Sequence, residues 1–477
     1  MSLAIWSCRA RPGGTTVVEF WAMGREGEVV QQMLPELERH NPGIRVRVQQ
    51  IPWSAAHEKL LTAFVGDAMP DIFQAGNTWI PELVALGAIE PLDERMKSSA
   101  AVAAADYFPG ILDTNVLEGR TYGVPWYVDT RLLFYRTDIL LRAGFAQPPA
   151  TWDAWLDASI RIKQQAAPDS YAILLPLTEW QTPVILALQL GADLLRDDER
   201  YGNFRSPQFR QAFTFYLDLF RRGLAPRTGE AQVANLYQDF ANGYFSMYVS
   251  GPWNIGEFRR RLPASMADTW GTAPMPGPDA GHPGMSVAGG ASLAIFRGCR
   301  HKEAAWKVIE YLSQPDQQLE FYRLTGDLPP RQSAWTDPDL ARNPYAQAFG
   351  TQLQHVRSTP KIPEWERIAD KISQYAEAAI RERMTIDAAL GALDADVDAL
   401  LEKRRWMLRG ALRKRFGNQR APFDTAAENP STRRERHAPA QGRPTCILGL
   451  WGAVFHKLTE RARGVGCDPL RVRSRWG

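Results

Sequence analysis

TTVVEFWAMGREGEVVQQMLPELERHNPGIRVRV, residues 15–48, decides the fold. Residues 15–21 form a short apolar run and read as a strand. From about residue 25 to 39, Val29, Val30, Met33, Leu34 and Leu37 fall on one stripe of a helix. Asn41-Pro42-Gly43 stops that helix. Ile44, Val46 and Val48 then alternate with Arg45, Arg47 and Gln49, the pattern of a half-buried strand. Residues 55–64 return to helix and 71–75 to strand. This strand–helix alternation implies a parallel sheet with helices on its faces.

Further along, Tyr122-Gly123-Val124-Pro125-Trp126-Tyr127-Val128-Asp129-Thr130-Arg131-Leu132-Leu133-Phe134-Tyr135-Arg136 combines a proline-stiffened extended segment with side chains suited to recognition. Trp126 and Tyr127 offer flat apolar faces with a polar tip on each. Asp129 accepts hydrogen bonds, and Arg131 donates them in a rigid fork. A ligand with apolar C–H faces and a rim of hydroxyls, such as a sugar, matches that mixture. The alternative is a strand entering a core, with Trp126 buried and Asp129 paired to Arg131.

At 477 residues the chain exceeds one compact core, so two lobes are expected. Sixteen tryptophans and 14 tyrosines make it rich in residues that anchor ligands in clefts. No run of about 20 apolar residues is present to span a membrane as a helix. The net charge of +3 hides a split: residues 411–477 hold 14 Lys and Arg against 5 Asp and Glu. The rest is mildly acidic, which speaks against nucleic acid as a partner. Cys8, Cys299, Cys446 and Cys467 form no close pair, so neither a zinc nor a redox motif is expected. Ile5-Trp6-Ser7-Cys8 has some likeness to the end of a bacterial lipoprotein signal, although only seven residues precede Cys8. Residues 1–14 are therefore expected to be an export or lipoprotein signal remnant, with Cys8 a candidate for lipidation.

Beyond residue 136 the pattern is mostly helical. Helices open at Thr151-Trp152-Asp153 and at Ser206-Pro207, the latter with an N-cap and a proline in its first turn. Residues 244–249 and 292–296 read as strands, and 250–254 as a turn into a helix. Residues 302–312, 363–383 and 385–406 read as helices. The Gly- and Pro-rich stretch 270–290 reads as a connection. Extended segments at 122–130, 270–276 and 325–331 are three crossings that split the chain into two lobes with a cleft between them. Residues 409–477, rich in Arg, Pro, Ala and Gly without periodicity, are expected to be disordered. They read either as a basic arm or as translation beyond the natural stop.

Over about residues 15–408 the chain resembles the extracellular solute-binding proteins of bacterial carbohydrate ABC importers, the group containing maltose- and trehalose/maltose-binding proteins. The resemblance rests on six segments in the family's order. They are Phe20-Trp21-Ala22-Met23-Gly24-Arg25-Glu26, Met69-Pro70-Asp71-Ile72-Phe73, and residues 123–136, 250–254, 289–296 and 325–331. It implies an α/β, two-lobed periplasmic-binding-protein-like fold of type II, with the ligand cleft between lobes joined by hinge crossings. Lobe 1 would comprise 15–124 and 272–327, and lobe 2 would comprise 125–271 and 328–408.

The resemblance also implies ligand contacts. Glu26 matches a carboxylate just inside the first helix, and Asn77 or Thr78 a polar residue after a strand. Tyr127 and Asp129 match an aromatic and an acid near the hinge. Trp253 matches a stacking tryptophan in the Gly-Pro-Trp turn. Gly289 and Gly290 match a glycine pair whose backbone approaches the sugar, and Arg331 a guanidinium from the last crossing. Trp79 and Trp126 join them as residues of either cleft or core. Ala291 stands where some relatives carry a tryptophan, which leaves the sugar open. The function implied is capture of a trehalose- or maltose-type sugar for a permease, outside the cytoplasmic membrane, by a monomer with no cofactor or metal. Two rivals stand beside it. One is a non-sugar solute such as a polyamine, peptide or sugar phosphate. The other is a glycosidase using Glu26 and Asp129 as its carboxylate pair.

Overall fold

β1 (Thr16–Met23) buries Val18, Phe20, Ala22 and Met23. Its tip turns directly into α1 (Gly24–His40), whose stripe of Val29, Val30, Met33, Leu34 and Leu37 is buried. β2 (Ile44–Ile51) pairs with β1 in parallel along its whole length, from Thr16 opposite Ile44 to Met23 opposite Ile51. β3 (Ile72–Gly76) lies parallel on the other side of β1. The computed structural model describes residues 15–228 and 235–408. The expected signal remnant with Cys8 and the expected tail with Cys446 and Cys467 lie outside the described residues. By compactness the chain divides into two units, Met1–Ala56 with Pro70–Leu400, and His57–Met69 with Leu401–Gly477. The architecture below belongs to the first.

Two further strands complete the first sheet: β4 (Val124–Asp129) and β9 (Gly289–Ile295). The order is β2-β1-β3-β9-β4, and β9 runs antiparallel to both neighbours. The sheet is therefore mixed, not parallel as the opening alternation suggests. Local periodicity reports the three N-terminal strands, and β9 arrives from more than 200 residues away in the opposite direction.

The second sheet is built from β5 (Leu132–Arg136), β6 (Tyr171–Leu174), β7 (Phe245–Ser250) and β8 (Trp270–Ala273), in the order β8-β5-β7-β6. β5 pairs antiparallel with both β8 and β7, and β6 pairs in parallel with β7. β8 and the first residues of β9 fall inside the stretch 270–290 that composition marks as a connection. The glycines and prolines concentrate between the two strands and dominate the average over both. Two residues, Thr130 and Arg131, carry the chain from β4 in one sheet to β5 in the other. β4 belongs to the first sheet and all of β8 to the second.

Helix starts follow their capping signals. Thr151 Oγ1 accepts from the Ala154 amide (3.3 Å), and Ser206 Oγ accepts from the Phe209 amide (3.4 Å). The helix Pro315–Thr325, which sequence periodicity does not single out, ends in Gly326 with φ of 92°. Leu328, beyond it, bridges back to Val128 of β4.

Candidate functional site

The ends of β1, β3, β4 and β9 and the start of helix Trp253–Arg261 surround one cavity of about 440 Å³. Its lining includes nine of the eleven expected residues: Glu26, Asn77, Thr78, Trp79, Tyr127, Asp129, Trp253, Gly289 and Gly290.

A hydrogen-bonded chain forms one wall. The Met23 amide donates to Gln74 Oε1 (2.7 Å), which fixes the Gln74 amide so that Nε2 donates to the Tyr127 hydroxyl (3.0 Å). That hydroxyl donates in turn to Glu26 Oε1 (2.8 Å), which also accepts from Trp53 Nε1 (3.3 Å). Burial pushes the Glu26 carboxyl above its ordinary range, and the charge of Asp129 adds to the shift. Burial likewise raises the Tyr127 phenol well above its usual value, so it is a neutral donor.

Asp129 ends β4, and Arg131 follows in the crossing. The Arg131 Nη1 donates to Asp129 Oδ1 at 2.6 Å, and its Nε stands 3.9 Å from Glu179 without a hydrogen bond. The guanidinium lies over the Trp253 ring, 4.7 Å from its centroid. Trp253 reaches this place by folding back over the turn before it. A Cβ on Gly251 would stand 1.8 Å from the indole Cζ3, so only glycine fits there.

Asn77–Trp79 is a single 3-10 turn leaving β3. Asn77 Oδ1 accepts from Ser292 Oγ of β9 (2.7 Å), and Trp79 meets Trp53 edge-on at 5.7 Å between centroids. Gly289 and Gly290 line the cavity, but their need for glycine comes from the neighbouring strand. A Cβ at Gly289 would sit 2.4 Å from the Asp129 carbonyl oxygen. One at Gly290, where φ is 139°, would sit 2.2 Å from that of Tyr127.

Two expected residues are not brought to the cavity. Trp126 is 1% exposed and packs on Phe321 at 4.5 Å and Phe20 at 5.9 Å. Successive side chains of a strand point to opposite faces, so Tyr127 in the cleft places Trp126 in the core. Arg331 is a structural bolt. Its Nε donates to Asp106 Oδ2 (2.6 Å) and its Nη1 to the carbonyls of Ala101 (2.6 Å) and Ser313 (2.9 Å), with Tyr107 beneath it.

The cavity also gathers Arg25, Trp53, Arg131, Trp180, Glu257, Asp327 and Glu366, none of them among the expected site residues. Trp53 had a signal: it follows Ile51-Pro52 at the C-terminal end of β2, the end at which α/β sheets present their ligand residues. Arg131 reads in the sequence as a hydrogen-bond donor of the recognition segment, or else as a partner for Asp129, and is not among the ligand contacts the resemblance implies. Trp180, edge-on to Trp365 at 5.3 Å, comes from a loop with no pattern of its own.

The family model for bacterial extracellular solute-binding protein matches residues 22–319. The solved structure of the sugar-binding protein MalE from Xanthomonas citri is 50% identical, with a TM-score of 0.78, over 83% of this chain and 99% of that one. A binding protein of Brucella abortus (strain 2308) is 28% identical over 393 residues, 81% of this chain and 93% of its own. The diacetylchitobiose binding protein DasA of Streptomyces coelicolor is 25% identical over 350 residues, 72% of this chain and 80% of its own. With the family model spanning residues 22–319 and a 50% identical solved structure sharing this fold, the chain belongs to the bacterial extracellular solute-binding proteins.

Proposed function

We propose that the protein captures a small oligosaccharide of the maltose or trehalose type and hands it to the permease of an ABC importer, acting outside the cytoplasmic membrane. One observation carries this reading. Four indoles, Trp53, Trp79, Trp180 and Trp253, converge with carboxylates and two arginines on one 440 Å³ cavity. Indole faces stack on the C–H faces of pyranose rings, and carboxylates and guanidinium groups take the hydroxyl rim. The volume lies in the range of small-molecule sites.

The residues divide the work. Glu26, held by Tyr127 and Trp53, accepts from hydroxyls. Asp129 and Arg131 present an acceptor and a donor side by side, at the point where the chain crosses between sheets. Trp253 supplies a stacking face stiffened by Arg131. A ligand contacting residues of both sheets favours the closed arrangement over the open one, and hinge closure is the known behaviour of periplasmic binding proteins. Capture, not hydrolysis, is the reading favoured by the relatives, which are binding proteins.

Thermal unfolding against maltose, trehalose, sucrose, glucose, spermidine and a sugar phosphate tests the proposal. A ligand present at about 100 times its dissociation constant stabilises the fold by about 2.7 kcal/mol. A rise with a disaccharide, lost in Trp253→Ala, is expected. A rise with spermidine or the phosphate alone would sink the sugar reading and leave the family intact.

A further inference from the structure

Among the described residues the cavity lining holds five carboxylates against two guanidiniums, Arg25 and Arg131. Each cation already makes one contact: Arg25 Nη2 donates to the Leu324 carbonyl (3.1 Å), and Arg131 Nη1 donates to Asp129. Asp327 is the carboxylate most deeply placed, 3% exposed and still part of the lining. It follows Gly326 at the end of the helix Pro315–Thr325, where the helix dipole presents negative charge. Its backbone amide donates to Thr325 Oγ1 (3.0 Å), whose hydroxyl is turned to the Phe321 carbonyl (2.7 Å).

Asp327 shares that lining with Glu26 of α1 and Asp129 of β4, whose charges oppose its ionisation, while the Thr325 hydroxyl and Arg25 favour it; the Tyr127 phenol of β4 is neutral. Like charges facing one another in a site of low dielectric do not all ionise without cost, and a proton retained on one of them relieves it. The position also meets a chemical need. Ring and glycosidic oxygens of a sugar accept hydrogen bonds and require donors, and a protonated carboxyl adds one to those of Arg131 and Asn77 in the same lining.

We infer that Asp327 is a further ligand-binding residue of the cleft, held as a neutral carboxylic acid whose O–H donates to an oxygen of the sugar while Glu26 accepts a hydroxyl. The inference rests on the sugar-capture reading for its ligand, though not for the state of the acid. Burial, reinforced by Glu26, places the Asp327 carboxyl well above its ordinary range, in the same direction.

The sign of the pH effect follows. A raised folded-state affinity for the proton stabilises the fold at low pH. That stability is lost as pH rises above the unfolded carboxyl value of about 4 toward the folded one. Asp327→Asn copies the neutral acid and lacks that loss. Without any sugar, the melting temperature of Asp327→Asn minus that of the wild type should therefore grow between pH 5 and pH 9. A flat difference, or a slope that survives in Asp327→Asn and vanishes in Glu26→Gln, would overturn the assignment. Carbon-13 carboxyl resonances of the intact wild-type chain give the same answer without a variant: one cleft aspartate should titrate above the ordinary carboxyl range.

Calorimetric titration with maltose reads the ligand contact. Wild-type affinity should fall at least tenfold from pH 6 to pH 9, Asp327→Asn should show no pH slope, and Asp327→Leu should bind at least tenfold more weakly throughout. Asp327→Leu binding like the wild type would overturn the contact. No binding of maltose by the wild type at any pH would sink the maltose-type reading and the contact together, whereas the sugar-free measurement stands or falls by itself.

Discussion

Residues 129–131 and 327–331 both carry the chain past the cavity, and both present a buried arginine. Arg131 and Arg331 are 7% and 6% exposed, each reaches a carboxylate at 2.6 Å, and each lies over an aromatic ring. Burial, ion pairing and aromatic contact therefore fail to separate a ligand residue from a structural one. The difference is hydrogen-bond saturation. Arg331 spends Nε and Nη1 on Asp106 and two backbone carbonyls, while Arg131 makes a single hydrogen bond among the described residues, Nη1 to Asp129, and borders the cavity. A guanidinium with donors left over at a cavity wall is available to a ligand; one satisfied by the fold is not.

Substitutions sharpen this contrast, and the largest effects belong to the core side. Trp126→Ala should cost about 4 kcal/mol in denaturant unfolding, the usual range for deleting a fully buried tryptophan. A loss below about 1 kcal/mol would mean that Trp126 is not the core residue its packing implies. Arg331→Met should cost about 3 kcal/mol, because Asp106 and two carbonyls lose their donor. Sugar affinity of the folded protein should then stay within about threefold by calorimetry. A collapse of affinity with normal stability would erase the contrast between the two crossings. Trp253→Ala should show the reverse pattern: about 2 kcal/mol lost in binding, as for a buried aromatic anchor, and a smaller change in unfolding. The smallest expected effect is Arg131→Met, about 1.5 kcal/mol in affinity, the value of a charged hydrogen bond, measured in the same titration.

Much of the site was open to reading from single segments. Tyr127 and Asp129, two apart in a strand, share a face, and the same alternation assigns Trp126 to the other one. Glu26 in the first turn of α1 and Trp253 after Gly251-Pro252 are local features as well. Gly289 and Gly290 were legible as glycines with a purpose, but the purpose differs: they accommodate the β4 carbonyls, a fact that depends on strand pairing. Arg331 shows the limit from the other side. Its position in the last crossing suggested a ligand contact, and only the neighbouring Asp106, 225 residues away, explains why it is bolted elsewhere.

By itself, then, the sequence determined the elements that depend on neighbours within a few positions. These include the β1–α1–β2 opening, the helix starts at Thr151 and Ser206, and the turn at 250–254 into a helix. Hydrophobic periodicity, capping and steric access to a glycine are short-range effects, so they are written locally. The tertiary structure alone decided the reversal of β9, the β8 strand hidden in a Gly- and Pro-rich stretch, and the entry of Trp180, Asp327 and Glu366 into the cavity. Each of these is settled by pairing or desolvation among residues far apart in the chain. Whether a side chain still has an unsatisfied donor, or a carboxyl keeps its proton, is set by the partners that folding brings to it.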